Sequence, residues 1–125
     1  MRYNREAHFR YTFENPIQAY FQIIKIDGES VKTSEGDARI INISPGGAKI
    51  QSKLNIPETD HKSIGLSIRF KLNEKELTYN GFIIWKKVWG ATIDYGIKME
   101  EDDDDKKELI DQLKIHSKNV IEHGH

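Results

Sequence analysis

The sequence contains no cysteine, which excludes disulfides, thiolate nucleophiles and cysteine-ligated zinc. It has no apolar run near the ~18 residues a spanning helix needs, and it opens on no signal peptide, so no membrane insertion is expected. Net charge is almost absent: 19 basic residues face 20 acidic ones, for a total of −1. Without a global basic field, nucleic acid is not an expected partner. His8, His61 and His116 stand apart rather than in pairs and read as ordinary surface histidines. Gly-x-Ser-x-Gly, the P-loop and Gly-x-Gly-x-x-Gly are all missing, so no catalytic centre is expected and the chain does not read as an enzyme. No metal or cofactor is implied. The lack of cysteine fits a cytoplasmic protein.

What remains is a chain of 125 residues, one domain by length, patterned mainly for β-structure. Residues 17–27 mix alternation with β-branched and aromatic residues and predict a strand, ended by the turn signal Asp27-Gly28. Residues 37–43 and 47–51 read as two short strands around Ser44-Pro45-Gly46. Residues 52–62 read as a loop. Ile64, Leu66, Ile68, Phe70 and Leu72 alternate onto one face, a turn follows at 73–75, and a long strand fills 76–87. Ile93, Tyr95, Ile97 and Met99 share a face of a last strand over 91–99. Six to seven short strands favour a small antiparallel β-barrel, residues 13–100, behind a flexible arginine-rich arm, residues 1–12. Residues 104–121 then predict a helix with Leu109, Ile110, Leu113, Val120 and Ile121 near one face. The acidic run 100–105 sits at its start, where carboxylates complement the helix dipole.

The charge that is present is unevenly placed. Arg2, Arg5 and Arg10 face only Glu6 in the first ten residues. Further on comes Asn42-Ile43-Ser44-Pro45-Gly46-Gly47. Asn42 and Ser44 offer short hydrogen-bonding groups at a turn, and Gly46 and Gly47 permit φ > 0 and close ligand approach. Guanidinium groups bind phosphate and the O6/N7 edge of guanine by paired hydrogen bonds. The combination resembles the PilZ family, whose signature is an RxxxR arm followed by [D/N]xSxxG. Asn42, Ser44 and Gly47 fit the second part. Gly81–Trp85 and Asp94-Tyr95-Gly96-Ile97 look like the family's last two strands. In the first part, Arg5 and Arg10 have four residues between them rather than three, so the position of the first motif arginine falls on Glu6.

The resemblance implies a stand-alone receptor for cyclic di-GMP, a cyclic dinucleotide second messenger of bacteria. Arg5 and Arg10 would clamp phosphate and guanine, Asn42 would reach a guanine edge, Ser44 would bond phosphate or a base nitrogen, and Gly47 would leave room. Arg2, Glu6 and Gly46 have weaker claims. Ligand binding would order the arm and so signal to a protein effector; the chain would be a monomer or weak dimer. The alternative is a degenerate PilZ domain that binds protein and no nucleotide. Arg39 and Lys49, beside the turn, read as exposed strand charges. Trp85 and Trp89, with Lys86 and Lys87, could form a single-strand nucleic-acid platform. The preferred reading puts one tryptophan in the core and the other on the barrel rim.

Overall fold

The structure, a computed structural model, describes residues 10–57, 59 and 61–123. It contains β1 (Tyr11–Ile26), β2 (Glu29–Ser30), β3 (Gly36–Ser44), β4 (Gly47–Ser52), β5 (Ile64–Leu72), β6 (Lys75–Trp89), β7 (Thr92–Glu100) and α1 (Asp103–His123). The strands pair in the order β2-β1-β3-β4-β7-β6-β5, and β5 returns to β1. Every pairing is antiparallel. Six strands therefore close a barrel, with β2 as an extra short strand outside the ring. Closure leaves the ring without an open edge.

Alternation explains which side chains fill it. Ile64, Leu66, Ile68, Phe70 and Leu72 of β5 are all buried, as are Ile93, Tyr95, Ile97 and Met99 of β7. Two-residue turns set the hairpins. Asp27 and Gly28 take φ of 50° and 84° between Ile26 and Glu29, and Asn73 and Glu74 take 56° and 65° between Leu72 and Lys75. Two successive positive φ values match the right-handed twist of the flanking strands.

The strand expected from residue 17 begins at Tyr11 instead, inside what reads as the arm. The pairing of β1 with β3 is irregular between Thr12 and Ile17. Pro16 lies there and has no N–H to give to a ladder. The chain bulges past it rather than ending the strand, and Phe13 is buried beyond the bulge.

The helix is capped by Asp102, whose carboxylate accepts the Asp105 N–H at 2.8 Å. This satisfies one of the free donors of the first turn. Leu109, Ile110 and Leu113 are buried. Ile121, expected on the same face, is 69% exposed, and Val120 is only half-buried. The apolar stripe is thus a single patch little more than one turn long, and the end of α1 runs past the barrel.

Candidate functional site

The Asn42–Gly47 stretch forms the tight β3–β4 hairpin, with Ser44 paired to Gly47 across Pro45-Gly46. The turn is fixed twice. Ser44 Oγ donates to the Gly47 carbonyl at 3.2 Å, and the Gly46 carbonyl accepts the Met99 N–H at 3.0 Å. Neither Gly46 nor Gly47 has the positive φ expected for them; among described glycines only Gly28 and Gly90 do. Gly47 is required for another reason. A Cβ there would lie 2.8 Å from the Ile97 carbonyl oxygen of β7. At Gly46 a Cβ would meet nothing within 4 Å, so the turn presents an open side.

Strand pairing delivers the arginine. Thr12 of β1 pairs with Asn42 of β3, which brings Arg10, just ahead of the strand, beside Asn42. The Arg10 guanidinium donates through Nη1 to Asn42 Oδ1. Two residues 32 positions apart in sequence are thereby joined at the barrel's outer wall. Arg2, Arg5 and Glu6, the other candidates on the arm, lie outside the described residues.

Arg10, Ser44, Gly46 and Gly47 line one cleft of about 430 Å³. Lys49, Lys98 and Trp85 complete its polar and aromatic lining, with Ile84 at its margin. Among the described residues, three cations and no carboxylate therefore line this space. Asn42 contributes through its bond to Arg10. Lys49 is not a simple exposed strand charge. Its ammonium lies 3.6 Å from Asp94, a buried carboxylate that also accepts from Gln51 at 3.1 Å. This pair steadies the lysine at the edge of the cleft. Arg39 lines a separate groove of about 490 Å³ with Gln51 and Lys53.

Trp85 is the residue sequence reasoning missed. Neither tryptophan is in the core: Trp85 is 43% and Trp89 52% exposed. Leu77, Tyr79 and Gly81 alternate inward along β6 and are buried, and unbroken alternation would send Trp85 inward too. The β6–β7 register slips between Ile83 and Trp85, however, and the extra residue turns Trp85 outward. The indole then lies flat on β7, where a Cβ on Gly96 would fall 2.0 Å from its Nε1. A glycine inside a strand marks such close approach. Gly96 opposite a tryptophan was the available signal.

His116, read as a surface histidine, is half-buried. Its ring meets Phe13 edge-on at 5.3 Å and Tyr11 at 5.6 Å. Burial pulls its pKa below the usual value. Among the described residues, no group of three His, Asp or Glu side chains could hold a metal, and no helix is long and apolar enough to cross a membrane.

A model of the PilZ domain family matches residues 4–115. The chain belongs to the PilZ domain family. The match takes in Arg5 and Arg10 as well as the Asn42–Gly47 turn, and leaves out Arg2. PilZ domains are a family of cyclic di-GMP receptor domains. The barrel is similar to a solved structure described as the PilZ domain of CeSA from a cellulose-synthesizing bacterium. The TM-score is 0.56 at 17% identity, over 92% of this chain and 99% of that one. At that identity the likeness concerns the fold. No curated protein matches this PilZ domain by sequence.

Proposed function

We propose that this PilZ domain binds cyclic di-GMP in the outer-wall cleft. The observation that supports the reading is the composition of that cleft: among the described residues, Arg10, Lys49, Lys98 and an exposed Trp85 face one space and no acidic residue lines it. A doubly charged ligand with two flat bases needs cations for phosphate and a π-face for stacking. Arg10 offers its remaining N–H groups to phosphate or guanine while one is held by Asn42. Arg5 joins it from the arm. Asn42 reads a guanine edge, Ser44 bonds phosphate or base, and the open side of Gly46 leaves room, while Gly47 keeps the turn close against β7. Glu6 accepts from guanine N1 and N2, and Arg2 adds charge.

Binding would draw residues 1–10 onto the barrel. Ordering a segment costs conformational entropy, so the charged contacts must exceed that cost. The ligand shifts the arm only by its higher affinity for the ordered state. The changed surface is what an effector protein would read.

Calorimetric titration with cyclic di-GMP, with GTP as control, tests the reading. Saturable heat with cyclic di-GMP alone is expected. Arg10→Ala should abolish it, and Arg5→Ala or Trp85→Ala should weaken it by about tenfold or more, the worth of one charged or stacking contact. Full affinity in Arg10→Ala would overturn the site. A second reading, a PilZ domain that has exchanged nucleotide for a protein partner, is favoured by one feature: Glu6 stands where the family pattern has its first arginine. A flat titration of folded protein at two temperatures would select it.

A further inference from the structure

The ring closes where its strands overlap, but the strands differ in length. β5 pairs with β6 only as far as Gly65 opposite Phe82, whereas β6 runs on to Trp89. From Ile84 to Trp89 the strand pairs with β7 on one side and, among the described residues, with no strand on the other. The turn fixes which backbone groups face outward. Trp89 and Thr92 flank the two-residue turn Gly90-Ala91, in which Gly90 takes φ of 57°. In such a hairpin the flanking pair exchanges hydrogen bonds, and bonded and non-bonded pairs then alternate along the ladder. Trp89 and Lys87 therefore bond to β7. The N–H and C=O groups of Lys86 and Val88 point the other way, and no described residue bonds to them. Val88 and Trp89 face opposite sides of β6 and are both exposed, 60% and 52%, so the edge is open from either face. The β4–β5 loop reaches β6 through the Lys86 side chain, which donates to Asn55 Oδ1 and, at 3.0 Å, to the Ile56 carbonyl. That contact lies on the face Lys86 shares with the buried Tyr95. Glu58 and Asp60 of the loop lie outside the described residues.

Such an edge displays the alternating donors and acceptors of an unfinished sheet. What matches them is another extended backbone. The edge is held ready for one. Ile84, Trp85, Val88 and Trp89 are β-branched or aromatic and favour the extended form, and β7 behind them is itself paired to β4 from Ile93 to Lys98. β6 also shows the kind of strand it accepts. On β7, Tyr95 stands opposite Lys86, Asp94 opposite Lys87 and Ile93 opposite Val88. A second copy of the chain fits less well. The longest overlaps of two Ile84–Trp89 edges about a two-fold axis centre on Lys86 or on Lys87. They set lysine on lysine, and like charges directly opposite are destabilising.

We propose that the free edge of β6 at Lys86–Val88 binds an extended segment of another protein by adding it to the sheet as an antiparallel strand. The segment has the chemistry of β7, with an apolar residue opposite Val88 and a carboxylate opposite Lys87. Main-chain hydrogen bonds to Lys86 and Val88 hold it, and side chains on alternate faces select it. Lys86 and Val88 do not line the cleft, so the contact does not depend on the nucleotide reading.

The test titrates the whole chain against a fluorescent, end-capped peptide with the sequence of residues 92–97, followed by anisotropy and by amide hydrogen exchange. Saturable binding is expected, with exchange slowed at Lys86 and Val88. Val88→Pro removes an outward N–H and no bond to β7, so it should fold as before, by circular dichroism, and bind about tenfold more weakly or worse. Val88→Thr keeps the N–H and should bind within about twofold of the unaltered chain. A peptide N-methylated at alternate amides should not bind the unaltered chain, which tests the ladder with no change in the protein. Absence of binding, full affinity in Val88→Pro, full affinity of the N-methylated peptide, or slowed exchange confined to the cleft would overturn the proposal. So would dimerisation of the chain that Val88→Pro abolishes, since a second copy would then hold the edge.

Discussion

At Glu101, between β7 and the helix cap, the chain holds a carboxylate whose hydrogen-bonding capacity is unmet. Both oxygens are buried and neither has a partner. Burial first, and then the charge of Asp105, push its pKa from 4.5 up to about 7, against the pull of Lys106. A folded-state pKa raised in this way means that the folded protein holds the proton more tightly than the unfolded chain. The associated stability is complete below pH 4.5 and is lost as pH rises through about 7. Glu101→Gln keeps the shape and removes the charge. It should stabilise the protein at pH 8 by roughly 1–2 kcal/mol, a figure reduced for solvent screening, and change little at pH 5. Thermal unfolding of both proteins at the two pH values checks this. An equal shift at both would mean that ionisation is not the cause.

At the scale of elements, the β5–β6 turn carries an avoidable strain. Glu74 has φ of 65°, a left-handed conformation that an ordinary L-residue enters at a cost of about 1–2 kcal/mol. Asn73, beside it, tolerates such angles better and is anchored through its amide to the Gln112 carbonyl at 2.8 Å. Asn-Gly is the preferred pair for this turn. Glu74→Gly should therefore raise stability by about 0.5–1 kcal/mol, the relief of strain being offset in part by the freer unfolded chain. Urea unfolding should show a higher midpoint with an unchanged slope. The turn itself was legible at 73–75, as were the buried faces of β5 and β7, because uninterrupted alternation maps directly onto inside and outside. The misread places are those where a register shift intervenes. Pro16 concealed the first part of β1, and the slip after Ile83 reversed the facing of Trp85. A bulge is a property of two paired strands and cannot be counted along one. The Asn42–Gly47 turn was found from its residues, but its contact with Arg10 follows from the pairing of Thr12 with Asn42.

For the whole molecule, barrel and helix are held by different means. The barrel is a closed ring of ladder hydrogen bonds. The helix is attached through Leu109, Ile110 and Leu113 and through the trio of Tyr11, Phe13 and His116, with the Tyr11 and Phe13 rings 5.0 Å apart. Beyond His116 it has little cover, as the exposure of Ile121 shows. Local opening starts where buried apolar contact is least, so α1 should exchange its amides before β5 or β7. His116 makes that opening depend on pH. Burial lowers its folded-state pKa below 6.5, so the stability it contributes is present above pH 6.5 and is lost as pH falls through the lowered value. Glu101 acts in the opposite sense over much of the same range, and the two together flatten the overall pH profile. Hydrogen exchange can separate them. Between pH 7 and pH 5, protection factors in α1 should fall relative to those in β7, and His116→Phe should remove the fall while preserving the ring packing. The trio also grips the strand that begins just after Arg10, so loosening the helix at low pH should reach the cleft. An unchanged ratio of α1 to β7 protection across this range would mean that the helix and barrel open as one unit.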